Sequence, residues 1–250
     1  MSALRAKCPT CHTLTAVAIG PEYQCHSCGR EFAAGLVRVP RAWGDETGQN
    51  MAPAARMAMP WPEAATIEEA TLEEQIVALG RELPERPLVL GGCCCSHVGA
   101  VRELARRHGR IAVVWLDAHG DLNTPESSPS GNPWGMPLRM LVDGGDVDPR
   151  DVTLLGARNL DPPEVEFIAE AGIRQELADL ELPLYVAVDC DVIEPGQLDV
   201  FMPEPAGIEL DDLEAILASL PRPIGAGITG ATASERNEQA LPRLGHALGL

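Results

Sequence analysis

A chain of 250 residues, 45% of them hydrophobic, has room for one α/β domain with a substantial core and a small appendage. Its formal net charge of −18 speaks against sequence-independent binding to nucleic acid or to an anionic membrane surface. No apolar run approaches a membrane span, and the N-terminus lacks a signal-peptide apolar core. Eight cysteines without a secretion signal point to a reducing compartment, so the protein is read as cytoplasmic with metal-bound or buried thiols.

The first 35 residues carry Arg5, Lys7 and Arg30 against Glu22 and Glu31, so the acidity belongs to the rest of the chain. They hold Cys8-Pro-Thr-Cys11, thirteen further residues, then Cys25-His-Ser-Cys28. Paired Cys-x-x-Cys knuckles of this kind close a tetrahedral thiolate site, so Cys8, Cys11, Cys25 and Cys28 are the expected ligands of one structural zinc. Gly20-Pro21 turns the hairpin between them. So short a segment cannot build a core alone, and the ion would supply its folding energy. Residues 1–35 are therefore delimited as a zinc ribbon and 36–250 as the main domain. His12 and His26 are expected beside the zinc site, not in it. The near-neutral ribbon suits a structural role or the docking of a protein partner better than nucleic acid.

Leu36-Val-Arg-Val-Pro40 reads as the first strand of the main domain, and residues 41–63, rich in Pro, Gly, Ala and Met, as an irregular segment. Thr66 with Glu69, or Thr71 with Glu74, offers a capping box for a helix running to about Leu83. Its core side would carry Ile67, Leu72, Ile76 and Leu79. Pro87–Gly92 is a second strand, after which Cys93-Cys94-Cys95-Ser96-His97 opens a helix ending before Gly109.

Ile111-Ala-Val-Val-Trp-Leu116 reads as a strand buried on both faces of a parallel sheet, and it runs directly into Asp117-Ala-His119-Gly-Asp121. In extended chain, side chains two apart share a face, which predicts that Asp117, His119 and Asp121 converge. Leu184-Tyr-Val-Ala-Val-Asp189-Cys-Asp191 repeats the pattern. Together these strand ends offer four carboxylates and one imidazole, a costly set to bury without cations. Two divalent metal ions with shared carboxylates satisfy that inventory, and hard oxygen ligands with one nitrogen suit manganese. Such a pair can ionise a water near neutral pH. Between the two clusters, Val152–Leu155 is a strand, and Asp161 before Pro162-Pro163 is a natural helix N-cap. A helix over 210–220, a glycine-rich strand near 223–230 and a last helix over 234–248 complete the chain, with His108 and His246 expected at the surface.

Asp117-Ala-His-Gly-Asp-Leu-Asn-Thr-Pro125, Ser130-Gly-Asn-Pro-Trp-Gly-Met-Pro137 and Asp189-Cys-Asp-Val-Ile-Glu-Pro195 resemble the arginase, agmatinase and formiminoglutamase (ureohydrolase) family from about residue 36 to the end. The resemblance implies a three-layer α/β/α fold around a parallel sheet, often assembled as trimeric or hexameric homo-oligomers. It implies a metal-bridging hydroxide that attacks a linear C–N centre (amidine, guanidine or amide) of an amino-acid-like small molecule. Asp117, His119, Asp121, Asp189 and Asp191 match its metal ligands, and Asp121 is counted among the catalytic groups as well. Its Gly-Gly-Asp-His turn places Cys94 where a His ligand usually stands, with His97 one helical turn later as the other candidate. A thiolate there would tilt the preference from manganese toward zinc or iron. Asn123, Ser130 and Asn132 match loop residues that contact the substrate's carboxylate end, and Asp161 and Glu164 match those that hold its α-amino group.

Two positions depart from the family pattern. Trp134 stands where a proton-transferring His is usual, and the last strand ends at Gly230 without the Glu that grips a guanidinium, Glu235 being the next carboxylate along. Hydrolysis of L-arginine itself is therefore not the expected reaction, and a neutral or differently shaped C–N centre fits better. Trp134 would line an apolar slot or stack on a planar substrate group. Two other readings stand beside this one. A deacetylase-like enzyme would use a single metal on Asp117, His119 and Asp189. A non-catalytic scaffold would bind a metabolite in the degenerate site and dock a partner through the ribbon.

Overall fold

The computed structural model describes residues 5, 6, 8, 10, 11, 13–19, 22–32 and 35–250. His12 and the turn expected at Gly20-Pro21 lie outside the described residues. A small antiparallel sheet comes first, its strands β1 (Arg5–Ala6), β2 (Ala16–Ile19), β3 (Glu22–Cys25) and β4 (Glu31–Phe32) paired in chain order. It buries Tyr23, Cys8 and Cys25 and stacks Tyr23 on Phe32 with ring centroids 5.5 Å apart.

The main sheet is parallel throughout, with seven strands in the order β6-β5-β7-β11-β10-β8-β9. They are β5 (Gly35–Val39), β6 (Glu63–Thr66), β7 (Pro87–Gly91), β8 (Ala112–Leu116), β9 (Val152–Leu155), β10 (Leu184–Asp189) and β11 (Gly225–Thr229). The central strands read as unbroken apolar runs because both of their faces are covered. Alternation within them sorts two cores. Leu88, Leu90, Val114, Leu116, Val186 and Val188 face α5 (Leu210–Ser219) and α6 (Glu235–Ala247). Val89, Val113, Trp115, Tyr185 and Ala187 face α1 (Leu72–Glu82), α2 (Cys95–His108), α3 (Pro137–Asp143) and α4 (Pro162–Ala171). The result is three layers, α/β/α.

Of the two capping boxes offered by the sequence, Thr71 with Glu74 is the one formed. Thr66 instead ends β6, an edge strand the sequence did not announce. The segment expected to be irregular contains a 3-10 stretch, Glu46–Arg56, whose start is capped by Asp45 accepting from the Thr47 amide. No described helix is long and apolar enough to cross a membrane.

Candidate metal centre

The carboxyl ends of β7, β8, β10 and β11 surround a cavity of about 280 Å³, where an open parallel sheet places its ligands. Asp117, one residue past β8, accepts from the His119 amide at 2.7 Å and from Trp115 Nε1 at 3.2 Å. Asp189 ends β10, and its Oδ1 accepts from the Asp191 amide at 3.0 Å. Asp191 crosses back to β8, accepting from the Ala118 amide at 3.0 Å. His119 Nδ1 lies 3.0 Å from Asp191 Oδ2 and 3.5 Å from Asp117 Oδ1. Cys94, at the start of α2, sets Sγ 2.8 Å from Asp189 Oδ2, 3.8 Å from Asp117 Oδ2 and 3.0 Å from Thr229 Oγ1.

The residues converge, but not by extension of the strand. β8 stops at Leu116, and Asp121 takes a left-handed backbone, φ 54°, uncommon for a non-glycine residue and costly unless its surroundings enforce it. That turn aims the Asp121 carboxyl at the cavity. Two groups of donor atoms result, Cys94 with Asp117 and Asp121, and Asp117 with His119 and Asp191, each within 4.8 Å. Asp117 belongs to both. Asp121 Oδ2 is buried with no hydrogen-bond partner.

Crowding of like charges governs the electrostatics. Burial, and then Asp117 and Asp189, hold the Asp121 carboxyl well above the usual carboxylate range. Burial and neighbouring carboxylates raise Asp189 to about 7 and Asp191 to about 6. Burial, then Asp189, pushes the Cys94 thiol up. Burial disfavours the charged form of His119, yet hydrogen bonds to Asp117 and Asp191 outweigh it and carry this imidazole to about 12. So many acids can be ionised together in one hollow only if positive charge joins them. The orphaned Asp121 oxygen and the mixed oxygen, nitrogen and sulfur donors fit divalent cations.

His97 is not part of either donor group. Its Nδ1 lies 3.0 Å from Tyr185 Oη and its Nε2 3.2 Å from Thr229 Oγ1, and the ring packs edge-on against Trp115. α2 turns the side chain toward the middle of the sheet and leaves Cys94 to face the cavity. Asn132 also lies outside the cavity lining. Its side chain is spent on Asp45, accepting from that amide at 2.9 Å and donating to Oδ2 at 3.0 Å. Glu164 lines the cavity, and its two oxygens accept from the Leu122 and Asp161 amides, so it also holds loops. Asp161 caps α4, accepts from Asn123 Nδ2 at 2.8 Å and lines the wall with Asn123 and exposed Ser130. Trp134 covers the backbone of Gly44 and Gly48 and meets Phe201 edge-on at 5.5 Å, forming the apolar side.

Gly230 has φ 76°, and a Cβ there would overlap the Asp189 carboxylate. Glu235 starts α6, exposed and away from the cavity. The sequence reading missed Phe201, Met202 and Glu204, which also line the cavity. The signal available was weak, a Pro-flanked Glu204 in a stretch without periodicity.

In the small sheet, Cys8 and Cys28 sulfurs lie 3.5 Å apart, as do those of Cys11 and Cys25, and the four form one further candidate metal group. His26 stands in the adjacent turn, outside that group.

The arginase-family model matches residues 57–235. The chain belongs to the arginase family. Over 98 residues it is 43% identical to the arginase of Staphylococcus aureus (strain COL), covering 35% of this chain and 32% of that one. Over 176 residues it is 30% identical to the N(omega)-hydroxy-L-arginine amidinohydrolase of Streptomyces lavendulae, 62% of this chain and 64% of that one. The match to the Staphylococcus arginase thus spans about a third of that relative's length. In structure, the Bacillus subtilis arginase superposes with a TM-score of 0.74 at 21% identity, covering 86% of this chain and 97% of that one, a likeness of fold. Arginase-family members include amidinohydrolases, enzymes of C–N bonds other than peptide bonds.

Proposed function

We propose that the chain is a metal-dependent hydrolase of linear C–N bonds, of amidino or guanidino type, in an amino-acid-like small molecule. The observation that carries this is the pair of donor groups sharing Asp117, one of which includes Asp121 with its unpartnered, buried Oδ2. Cys94, Asp117 and Asp121 would hold one divalent cation and Asp117, His119 and Asp191 a second, with Asp189 adjoining both. Bound there, the cations would supply a water ionised near neutral pH and neutralise the clustered carboxylates. Asp121 would take a proton at the reacting centre, and Trp134 with Phe201 would exclude water from one side. Cys94 adds a soft donor to an otherwise hard set, which favours zinc or iron where the oxygen ligands alone favour manganese.

A single cation on Asp117, His119 and Asp189 leaves Cys94 and Asp121 without a role, and His119 Nδ1 faces Asp191 and Asp117. The binuclear reading accounts for more of the site. The four ribbon cysteines would hold one zinc, with the ribbon as a structural or docking element, and the whole would assemble as a homo-oligomer.

Purified protein saturated with manganese, zinc or iron(II) is expected to release urea, ammonia or a free amine from at least one member of a panel of amidino and guanidino compounds. Silence across the panel with every metal would overturn the hydrolase reading.

A further inference from the structure

We infer that Glu204 is the residue that binds the cationic head of the substrate, and that Arg158 and Asn159 position it. This deepens the proposed function and rests on it for the location of the substrate. Among the described residues, seven carboxylates line the cavity and no Lys or Arg does. Four of the seven crowd the metal cluster. Glu164 gives its oxygens to two backbone amides, and Asp161 caps α4 while holding Asn123. Glu204, outside the cluster, has an oxygen to spare. Its Oε1 accepts from Asn159 Nδ2 at 2.9 Å and lies 3.7 Å from His119 Nε2, while Oε2 makes no hydrogen bond among the described residues. The side chain keeps 25% of its surface accessible, and it opens beside the apolar wall of Phe201 and Trp134.

The loop that carries it is built to one shape. The Arg158 guanidinium donates to five backbone carbonyls, those of Gly156, Asp191, Val192, Glu204 and Pro205, so one side chain ties the end of β9 and the turn after β10 to this loop. Ala206 takes φ 62°, a left-handed backbone held against its preference. Gly207 follows so close to Ile193 and Glu194 that a Cβ would not fit. A surface turn without a task has no need of such a clamp. A cavity with one free carboxylate and an aromatic surface in the same lining suits an amidinium or guanidinium, whose planar fork pairs with a carboxylate and stacks on indole. Glu204 thus supplies, from a different loop, the partner that is missing at Gly230.

Titration calorimetry of metal-saturated protein with L-arginine and its neutral isostere L-citrulline tests this, with urea and amine release measured in the same samples. Wild type is expected to bind the cation more tightly. Glu204→Gln should lose about ten- to a hundredfold of that preference, with citrulline affinity and melting temperature unchanged. Glu204→Asp should keep part of it, and Asn159→Ala should weaken arginine alone by a smaller factor. Equal binding of the two ligands by wild type, or an arginine preference untouched in Glu204→Gln, overturns the assignment. Cation preference that vanishes in Glu204→Gln without any turnover would sustain Glu204 and remove the hydrolase reading instead.

Discussion

Cys94 and His97 sit three residues apart on the same turn of chain and meet through one hydroxyl, that of Thr229. Cys94 faces acids, and His97 faces Tyr185 and Trp115 in the core. Burial lowers His97 to about 3, so it is neutral when folded, whereas in the unfolded chain it takes up a proton below about 6.5. The unfolded state therefore binds more protons in that window. The contribution is complete above about pH 6.5 and is lost as pH falls toward 3, at about 1.4 kcal/mol per unit. Urea unfolding of metal-saturated protein at pH 7 and pH 5 should show wild type losing about 2 kcal/mol more than His97→Gln. Equal losses would contradict a buried neutral His97. At this scale the sequence was a partial guide. Asp117, His119, Asp189 and Asp191 could be found because the acids follow apolar runs directly. Cys94 could not be separated from His97, since a helical turn can point either side chain into the cavity and only the packed sheet decides.

Among the elements, the strands were the most legible, because two-sided burial leaves uninterrupted apolar runs and their alternation sorts the two cores. β6 was not, being an edge strand of Glu, Ala and Thr with no apolar signature. The stretch from Phe201 to Gly207 was illegible for a different reason. Its conformation is imposed from elsewhere, chiefly by the Arg158 guanidinium. Replacing Arg158 by Ala removes the shared donor of five carbonyls, of which Val192's keeps the Ile208 amide, and should destabilise the protein by about 2 kcal/mol or more. Hydrogen exchange should then quicken at residues 201–207 and at the turn after β10, with α1 unaffected. Uniform exchange across the chain would show that Arg158 does not hold that loop.

Over the whole molecule, the parallel order of seven strands brings the ends of β7, β8, β10 and β11 together around one acidic hollow, although their residues are spread from Cys94 to Gly230. Sequence pattern could pair the acidic ends of β8 and β10 but could not show that the loop from Phe201 to Glu204 lines the same cavity. The net charge of −18 has the same root, since part of it is concentrated where cations would offset it. Counting metal by plasma mass spectrometry on wild type and Cys94→Ala, after saturation with zinc or manganese and removal of free ion, tests that directly. Two ions per chain beyond the ribbon's one are expected in wild type, and the Cys94 variant should lose one of the two and keep the ribbon's. A wild-type chain that retains the ribbon ion alone would contradict the account.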